Sequence, residues 1–326
     1  GLLEHAHHGV PRLGEGYTTD DNARALLYLS LLPEGARDEG LVRTYLAFLL
    51  HMQKEDGRFR NGLTLDGRFE DEGEAEDPTG RAVLALAAAQ RLPPPYAGPA
   101  REALLRALPA LEGFTSLRGR AYALLGLLAL PKEPFLEAAE ALGEGLLRAF
   151  REAEPAWPYP GPLTYANHRP VEALYAYGLA FRRQEAVALA RRALAFLKEH
   201  YFTPGEEGLF FDPVGNRFMA RGRDKPLFDQ QPIEAKCALL AHLRFGERVL
   251  AEVAFLWFHG RNRLRAPLVD AFGPMDGLTP HGPNQNRGAE ALLAYLLAWQ
   301  ALVQGVFPQV DEGVALGRVF ALGGRP

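Results

Sequence analysis

Six short polar segments of the sequence carry side chains that could bind and cleave a sugar, and each stands where a helical pattern begins. Carboxylates, amides and arginines recur in them at similar positions. Sugar hydroxyls need hydrogen-bond donors and acceptors of these types, and hydrolysis of a glycosidic bond needs two carboxyl groups. The segments begin at Asp20, Asp77, Ser116, His168, Gln230 and Gln285. Together they predict one carbohydrate-binding cleft.

Four carboxylates in these segments are candidates for an acid–base pair. Asp21 follows Asp20 directly at the first helix start, although one helix cap needs only one carboxylate. Glu172, Glu234 and Glu290 each lie about one turn inside an apolar helical run, where a buried carboxylate must be paired or bound. We expect Asp21 and Glu234 to be the catalytic pair of a glycoside hydrolase, with Glu290 and Glu172 as reserves.

Each of these candidates also has a structural interpretation. An aspartate at a helix start is more often a cap than a catalytic group. The three buried glutamates could instead form a ring of structural ion pairs with Arg24, Arg81 and Arg120, because buried charges are usually paired whether or not they act. The sequence leaves both alternatives open.

Other side chains of the same segments, and of the loops between them, are candidates for holding the sugar. Carboxylates and amides bond to hydroxyls, while Trp157 and Tyr165 are expected to stack on the C–H faces of a sugar ring. The predicted substrate-binding residues are Asp20, Arg24, Asp77, Trp157, Tyr165, His168, Gln231 and Asn286.

The helical patterns that position these residues repeat along the chain. Each polar segment opens a run that is apolar nearly all round, as in a buried helix, and five amphipathic runs alternate with these six. Buried helices inside and amphipathic helices outside are typical of a closed double ring. We therefore predict an all-α (α/α)6 toroid, also called a six-hairpin barrel. A twelfth helix, after Gln304, would be short at most.

The links between the helices differ in length. Those that lead into the buried helices include the long loops 55–76, 152–167, 203–229 and 261–285, which have room for short β-hairpins. We expect these loops to gather on one face of the ring, and long loops on a rigid scaffold usually carry the function. Residues 1–326 are predicted to form a single domain, with 1–19 as a loop over the cleft and 306–326 as an irregular or short-helix tail.

Composition excludes several classes of function. The 326 residues carry a net charge of −4 and no basic stripe, so nucleic acid is not an expected partner. No apolar run is long enough to span a membrane. No sequence motif indicates a metal site or a dinucleotide cofactor, so none is predicted. The single cysteine, Cys237, favours a cytoplasmic protein. Few Asn, Met and Cys with many Pro and Arg are typical of a thermophilic source.

Four stretches give the chain a resemblance to known proteins. They are residues 1–25, with Gly-Tyr-Thr-Thr-Asp-Asp-Asn-Ala-Arg at 16–24, then 163–167, 228–235 and 276–290. They resemble a bacterial and archaeal family often encoded beside glycosyltransferases, or fused to them, and described as glycosidase-related. The resemblance implies a carbohydrate ligand and a glycosyltransferase as partner. The chain departs from the family pattern between Trp157 and Leu163, where the family carries an acidic residue and this sequence has none.

The layout is more distantly similar to six-hairpin glycosidases and to sugar epimerases of the N-acylglucosamine 2-epimerase type, which leaves other functions open. An epimerase would use histidines as bases, with His5 and His168 as candidates, and two histidines facing each other across the pocket would favour it. A non-catalytic partner of a glycosyltransferase would lack a carboxylate pair at a working distance. The arginines also leave a phosphorylase or a sugar-phosphate lyase open.

Overall fold

The protein is described by a computed structural model that covers residues 1–70 and 76–307. Within these residues, eleven α-helices alternate between an inner and an outer position. The inner helices are α1 (Thr19–Leu31), α3 (Glu76–Ala88), α5 (Leu117–Leu127), α7 (His168–Ala180), α9 (Pro232–Arg244) and α11 (Ala289–Gln304). The outer helices are α2 (Glu39–Met52), α4 (Pro94–Leu111), α6 (Phe135–Glu152), α8 (Gln184–Tyr201) and α10 (Arg248–Leu256).

The inner helices form a closed ring. Each packs against the next, α11 packs against α1, and each outer helix packs on the inner helix before it. This is the double ring that the alternating patterns predict. The expected tail, and with it the twelfth helix, falls almost wholly outside the described residues, which end at Phe307. No helix in the described part of the chain is long and apolar enough to cross a membrane.

The inner helices approach one another closely because small residues line their contacts. Gly80 of α3 faces Gly119 of α5, and a Cβ atom on Gly80 would lie 2.4 Å from the carbonyl oxygen of Gly119. Gly126 lies equally tightly against Leu84, with 2.7 Å between its would-be Cβ atom and the Leu84 Cα atom. Any larger side chain would force these helices apart. The close approach brings polar groups at the starts of α3 and α5 within hydrogen-bonding distance.

Asp20, Asp77, Ser116 and Asn286 are residue types that commonly cap helices, but of these four only Ser116 caps its helix, and Asp77 is the second residue of α3. Thr18, rather than Asp20, caps α1, and its Oγ1 accepts a hydrogen bond from the Asp21 backbone N–H at 3.2 Å. The α11 helix begins at Ala289, after Gly288, rather than at Asn286. The expected cap at Ser116 is observed on α5. Asp20 and Asn286 are therefore available for other contacts.

The loops contain short antiparallel hairpins, as predicted. Every strand in the described residues lies in a segment that leads towards an inner helix, which places extra structure at the mouth of the ring. Four of the five strand pairs are hairpins, and the fifth joins the segments that precede α1 and α3. The pairs are β1 (Ala6–His7) with β2 (Val10–Pro11), β3 (Tyr17–Thr18) with β4 (Gly62–Leu63), β5 (Phe202–Gly205) with β6 (Gly208–Phe211), β7 (Val269–Asp270) with β8 (Gly273–Pro274), and β9 (Leu278–Thr279) with β10 (Gly282–Pro283).

A buried aspartate fixes the long loops before α9 and α11. Asp212 is fully buried and accepts hydrogen bonds from Lys225 at 2.8 Å and from Arg263 at 2.6 Å. It also accepts from the side chain of Gln230 at 2.8 Å. The backbone of Gln230 in turn exchanges two hydrogen bonds with Leu278. Because each partner comes from a different loop segment, this network holds the α9 start against the 276–290 loop.

Candidate active site

A pocket of about 240 Å³ lies at the mouth of the ring, where the N-termini of α1, α9 and α11 meet the N-terminal segment and the 276–290 loop. Its lining is polar and rich in acidic side chains. The carboxylates among its lining residues are Glu4, Asp20, Asp21, Asp276 and Glu290. What each can do depends on which of its oxygens the protein already holds.

The two aspartates of α1 are held by arginines. Asp21 accepts from Arg24 Nη1 at 2.5 Å through Oδ1 and from Thr18 Oγ1 at 2.8 Å through Oδ2. Burial raises the pKa of Asp21, although the charge of Arg24 acts in the opposite direction. Asp20 accepts from Arg81 through Oδ2, and its Oδ1 is buried without a hydrogen-bond partner in the described part of the chain. Asp21 therefore has both oxygens occupied, and Asp20 has one acceptor left.

Glu290, the second residue of α11, is anchored but reachable. Arg24 Nη2 donates to its Oε2 at 2.7 Å. The side chain is 36 % exposed, and among residues 1–70 and 76–307 nothing hydrogen-bonds to its Oε1. Arg24 therefore orients Glu290, and the second carboxylate oxygen of Glu290 remains available to water or substrate.

Glu4 reaches the same pocket from the N-terminal segment. Its backbone N–H donates to Gly16 at 3.0 Å, and its carbonyl accepts from Ala289 at 2.8 Å, which fixes it beside the start of α11. The side chain is 36 % exposed, and its Oε1 lies 3.6 Å from His5 Nε2. Burial raises the pKa of Glu4, and His5 acts in the opposite direction. Glu4 is therefore an acid with a raised pKa that faces the pocket.

The sequence did not identify Glu4 or Asp276 as site residues, because both lie in loops rather than at helix starts. Asp276 accepts from the Gly288 backbone N–H through Oδ1 and from Asn286 Nδ2 through Oδ2. Asn286 Nδ2 also lies 3.0 Å from His5 Nδ1, and its Oδ1 is buried without a partner among the described residues. Asn286 thus positions His5 and Asp276 and retains one acceptor.

Glu234, the third residue of α9, lies behind the pocket lining. Its Oε1 accepts from the Ala166 backbone N–H at 2.6 Å, and its Oε2 is buried with no partner in the described structure. Burial raises the pKa of Glu234 to about 8, against the effect of backbone hydrogen bonds from Ala166 and Asn167. At neutral pH the carboxyl group is therefore mostly protonated. Pro232, the first residue of the same helix, and Gln231, which precedes it, line the pocket.

The raised pKa of Glu234 makes a prediction about stability. Its folded-state pKa, about 8, exceeds its ordinary value of 4.5, so the folded protein holds a proton that the unfolded chain releases. This contribution to stability is complete below pH 4.5 and is lost as the pH rises through 8. As the pH rises between these limits, the free energy of unfolding of wild type is expected to fall by an amount on the order of several kcal/mol. The Glu234→Gln variant, which has no proton to lose at this position, should not show this fall. Urea unfolding of both proteins at several pH values measures the difference, and parallel pH profiles would contradict the prediction.

Glu172 is a structural ion-pair residue in this arrangement and does not line the pocket. It accepts from Arg169 Nη1 and, at 3.0 Å, from Arg244 Nε. Burial opposes ionisation, but the two arginines hold the pKa of Glu172 below its usual range. Arg120, one of the arginines expected to pair with the glutamates, donates instead to the carbonyl of Phe114 at 2.7 Å.

Asp77 and Tyr165 form a separate cluster at the starts of α3 and α5. Asp77 accepts from Ser116 Oγ at 2.6 Å and from the Tyr165 hydroxyl at 2.7 Å. Burial disfavours the charged form of Asp77. Hydrogen bonds from Ser116 and Tyr165 and the charge of Arg118 nevertheless hold the pKa of Asp77 below its usual range. The Arg118 guanidinium lies 4.0 Å from the centre of the Tyr165 ring. One face of this ring is therefore covered and cannot stack on a sugar.

His168 is enclosed in the core. Neither ring nitrogen has a hydrogen-bond partner among the described residues. The centre of the His168 ring lies 4.8 Å from the centre of the Tyr201 ring and 5.6 Å from that of His242. Burial and the neighbouring His242 hold the pKa of His168 well below its ordinary value. His5 lines the pocket, whereas His168 does not. His168, one of the two histidines expected to act as epimerase bases, is therefore not part of this pocket.

Trp157 lies in a different depression, beside the end of α6. This open groove of about 620 Å³ also involves Pro160 and Arg221. The indole Nε1 donates to the Gly161 carbonyl at 2.8 Å, and the ring packs edge-on against Phe196 with 4.8 Å between ring centres. The structure thus separates Trp157 from the acidic pocket.

Comparison with solved structures identifies the architecture. A D-mannose isomerase superposes with a TM-score of 0.66 at 10% sequence identity, covering 94% of this chain and 92% of that one. A cellobiose 2-epimerase from Spirochaeta thermophila DSM 6192 gives 0.64 at 15%, covering 94% and 89%. A GH76 α-mannanase from Bacteroides thetaiotaomicron gives 0.58 at 10%, covering 94% and 88%. The fold is the (α/α)6 toroid.

The predicted similarity to six-hairpin glycosidases and to sugar epimerases is thereby confirmed for the fold, and at these identities for the fold alone. No family model matches the chain, and no curated protein matches its sequence.

The toroid brings some of the predicted site residues together and separates others. Among the predicted residues, those that line the pocket are Asp20, Asp21, Arg24, Gln231 and Glu290. Those placed elsewhere are Asp77, Trp157, Tyr165, His168, Glu172, Glu234 and Asn286, of which Asn286 adjoins the pocket through His5 and Asp276. In the described structure, no group of three or more His, Cys, Asp or Glu side chains is placed to hold a metal ion.

Proposed function

We propose that this protein is a glycoside hydrolase that acts on an oligosaccharide or glycoconjugate in the acidic pocket of the toroid. The observation that carries the proposal is the state of the five lining carboxylates. Protein hydrogen bonds occupy both oxygens of Asp21 and Asp276. Glu4 and Glu290 each keep an oxygen that no described residue holds, and both are about one-third exposed.

Glu4 and Glu290 have the properties of an acid and a base. Burial raises the pKa of Glu4, which favours the protonated form that a general acid needs to protonate the departing sugar oxygen. Glu290 is held by Arg24, which favours a carboxylate that activates water. In an inverting hydrolase, two such groups stand roughly 6.5–9.5 Å apart, with the water between the second group and the sugar. We propose Glu4 as the acid and Glu290 as the base.

Two unpaired acceptors at the pocket support a ligand with hydroxyl groups. Asp20 Oδ1 and Asn286 Oδ1 are buried, and neither has a hydrogen-bond partner among the described residues. Buried acceptors are normally satisfied, and sugar hydroxyls are donors of the right type. The Gln231 side chain, which lines the same pocket, can donate and accept with its amide. These three residues are proposed to position the sugar.

The pair predicted from the sequence, Asp21 with Glu234, stays a prediction, but the unoccupied oxygens in the pocket lining favour Glu4 with Glu290. Asp21 has no unoccupied oxygen, and Glu234 lies outside the pocket lining. Arg24 contacts one member of each pair, because it donates hydrogen bonds to both Asp21 and Glu290. The glycosyltransferase partner, the cytoplasmic location and the thermophilic source likewise stay predictions.

A sugar epimerase is the second candidate, and His5 is the observation that favours it. His5 lines the pocket, where Asn286 and Asp276 fix its Nδ1 edge at 3.0 Å and 3.7 Å. Its Nε2 could then exchange a proton with a sugar carbon. Among the described lining residues, however, no second histidine faces it. The hydrolase proposal stands first because its two groups are both present in the pocket.

A product analysis distinguishes the two. The protein is incubated with gluco- and manno-oligosaccharides of α and β linkage, and the products are separated by chromatography with mass detection. A hydrolase yields shorter sugars with the mass of water added. An epimerase yields an isomer of unchanged mass. Binding to an oligosaccharide without either product would contradict both activities and favour a non-catalytic role.

A further inference from the structure

The most exposed aromatic side chain among residues 1–70 and 76–307 is Phe272, which is 69 % exposed. It lies at the tip of the β7–β8 hairpin, where the pairing of Asp270 with Gly273 leaves Ala271 and Phe272 as a two-residue turn. Turns of this length favour Asn, Asp and Gly. Neither the turn nor burial in the core therefore explains a phenylalanine at this position.

A single exposed apolar side chain needs no explanation by itself, but the tip that carries Phe272 is held by a buried arginine. Arg287 Nη2 donates to Asp270 Oδ2 at 2.7 Å, and its Nη1 donates to the carbonyl of Gly273. The other oxygen of Asp270 accepts from the Phe272 backbone N–H at 2.8 Å. The turn is thus fixed on both sides, which holds Phe272 in an exposed position.

Only one face of the Phe272 ring is covered by this arrangement. The guanidinium carbon of Arg287 lies 5.9 Å from the centre of the ring, close enough for a cation–π contact. Because Arg287 is itself buried while Phe272 is mostly exposed, the ring face away from the guanidinium is open to solvent. This differs from Tyr165, which is partly buried beneath Arg118.

The hairpin also places Phe272 beside the acidic pocket. Gly288, the residue after Arg287, lines the pocket, and so does Asp276, which lies just beyond β8. Asp276 is four residues from Phe272, so the Cα atoms of the two are at most about 14 Å apart. Phe272 does not line the pocket itself. It therefore flanks the entrance, within reach of a chain that extends out of the pocket.

The pocket is small for an oligosaccharide. Its volume of about 240 Å³ is below the roughly 300–1,000 Å³ of sites that enclose a drug-sized molecule. Sugar units beyond the one in the pocket must therefore lie along the rim. The polar lining residues suit hydroxyl groups, whereas the C–H face of a sugar ring needs a flat apolar surface of the kind that an exposed phenyl ring provides.

We propose that Phe272 is a platform on which a sugar unit outside the acidic pocket stacks. The inference rests on the proposed function in one respect, which is that a carbohydrate occupies the pocket. It adds the class of ligand, a chain of at least two sugar units with a C–H face at this rim. It assigns Phe272 the role of selecting longer over shorter chains.

Binding of sugars of increasing length tests the platform without any need for turnover. The probes are glucose, mannose and their α- and β-linked oligomers from disaccharide to pentasaccharide, with sulfur in place of the glycosidic oxygen so that they resist hydrolysis. Each is titrated calorimetrically into the full-length protein. The variants are Phe272→Ala, which removes the ring, and Phe272→Trp, which enlarges it. Phe218→Ala is the matched control, because Phe218 is another exposed phenylalanine and does not line the pocket.

We expect the affinity of wild type to rise with the sugar unit that reaches Phe272. Phe272→Ala should lose this gain, about three- to tenfold, because stacking buries one face of a ring whose full burial is worth about ten- to a hundredfold. It should bind the monosaccharide as tightly as wild type. Phe272→Trp should keep or increase the gain, and Phe218→Ala should match wild type. Phe272 is exposed, so Phe272→Ala is expected to fold, and the comparison of wild type with Phe272→Trp stands if it does not.

The proposal is overturned if wild type gains no affinity with chain length, or if Phe272→Ala matches wild type at every length. It is also overturned if Phe272→Ala weakens the monosaccharide as much as the longest oligomer. These outcomes differ from failure of the proposed function. A gain with length that depends on Phe272, without hydrolysis of any natural oligosaccharide, removes the hydrolase and leaves the platform. Hydrolysis with affinities that do not depend on Phe272 removes the platform and leaves the hydrolase.

Discussion

Replacement of Glu290 by glutamine is expected to lower kcat by about 10²–10⁴-fold while KM changes little, because general-base catalysis contributes about that factor. The amide keeps the size of the side chain, and its oxygen can still accept the hydrogen bond that Arg24 donates at 2.7 Å. What it loses is the ability to take a proton from water. Initial rates on the best oligosaccharide from the product analysis measure the effect.

A second variant separates the roles of the two carboxyl groups. Glu4→Gln is expected to lose a comparable factor on a natural oligosaccharide but to remain active on a nitrophenyl glycoside, whose leaving group needs no protonation. Glu290→Gln should be slow on both substrates, because the attacking water needs its base in either case. Glu15→Gln is the matched control, since Glu15 lies in the same N-terminal segment, pairs with Arg12 at the surface and does not line the pocket.

The opposite outcome would restore the pair predicted from the sequence. If Glu290→Gln and Glu4→Gln keep wild-type rates while Asp21→Asn and Glu234→Gln lose activity, the acid and base are Asp21 and Glu234. The structure would then have to open during turnover, because Glu234 is 1 % exposed and Asp21 has both oxygens bonded.

The second large effect is expected on stability, at Glu172. Replacement by leucine leaves the buried cations Arg169 and Arg244 without their carboxylate. Breaking a buried ion pair by removal of one partner costs about 3–5 kcal/mol in the free energy of unfolding. Denaturant unfolding followed by circular dichroism measures the loss.

An exposed ion pair provides the matched control for Glu172. Glu185 accepts two hydrogen bonds from Arg151 on the outside of the ring, and both side chains are about half exposed. Glu185→Gln is expected to change the free energy of unfolding by only about 0–1 kcal/mol. A loss at Glu172 no larger than this would show that the buried pair is not structural. Loss of activity in a stably folded Glu172 variant would return it to the catalytic candidates.

The sequence was sufficient to predict the ring. Periodicity separates buried from amphipathic helices, and the alternation of the two types has few solutions other than a double ring. The sequence also placed Asp20, Asp21, Arg24, Gln231 and Glu290 at one mouth, and these five do line one pocket. The equivalence of helix starts was not a sufficient criterion, however, since Asp77, His168, Glu172 and Glu234 at other starts do not line the pocket.

What the sequence could not provide was the partner of each charge. Glu172 and Glu290 occupy equivalent positions in the repeated sequence segments, yet Glu172 is held by two arginines, whereas Glu290 keeps one oxygen unoccupied. The difference depends on Arg244, which lies at the other end of a neighbouring helix. Glu4 was missed for another reason: it lies in a loop with no helical periodicity, so only its place in a recognisable stretch could have drawn attention to it.

The contact between α1 and α11 has a consequence for how the protein acquires its activity. Arg24 and Glu290, which this contact joins, are separated by 266 positions in the chain. Bringing such distant segments together carries a large loop-closure entropy, and contacts of this kind form late in folding. During synthesis, Glu290 leaves the ribosome after five of the six inner helices have been made. The polar pocket is therefore assembled as the ring closes, and a partly folded chain holds Asp21 and Arg24 but no base.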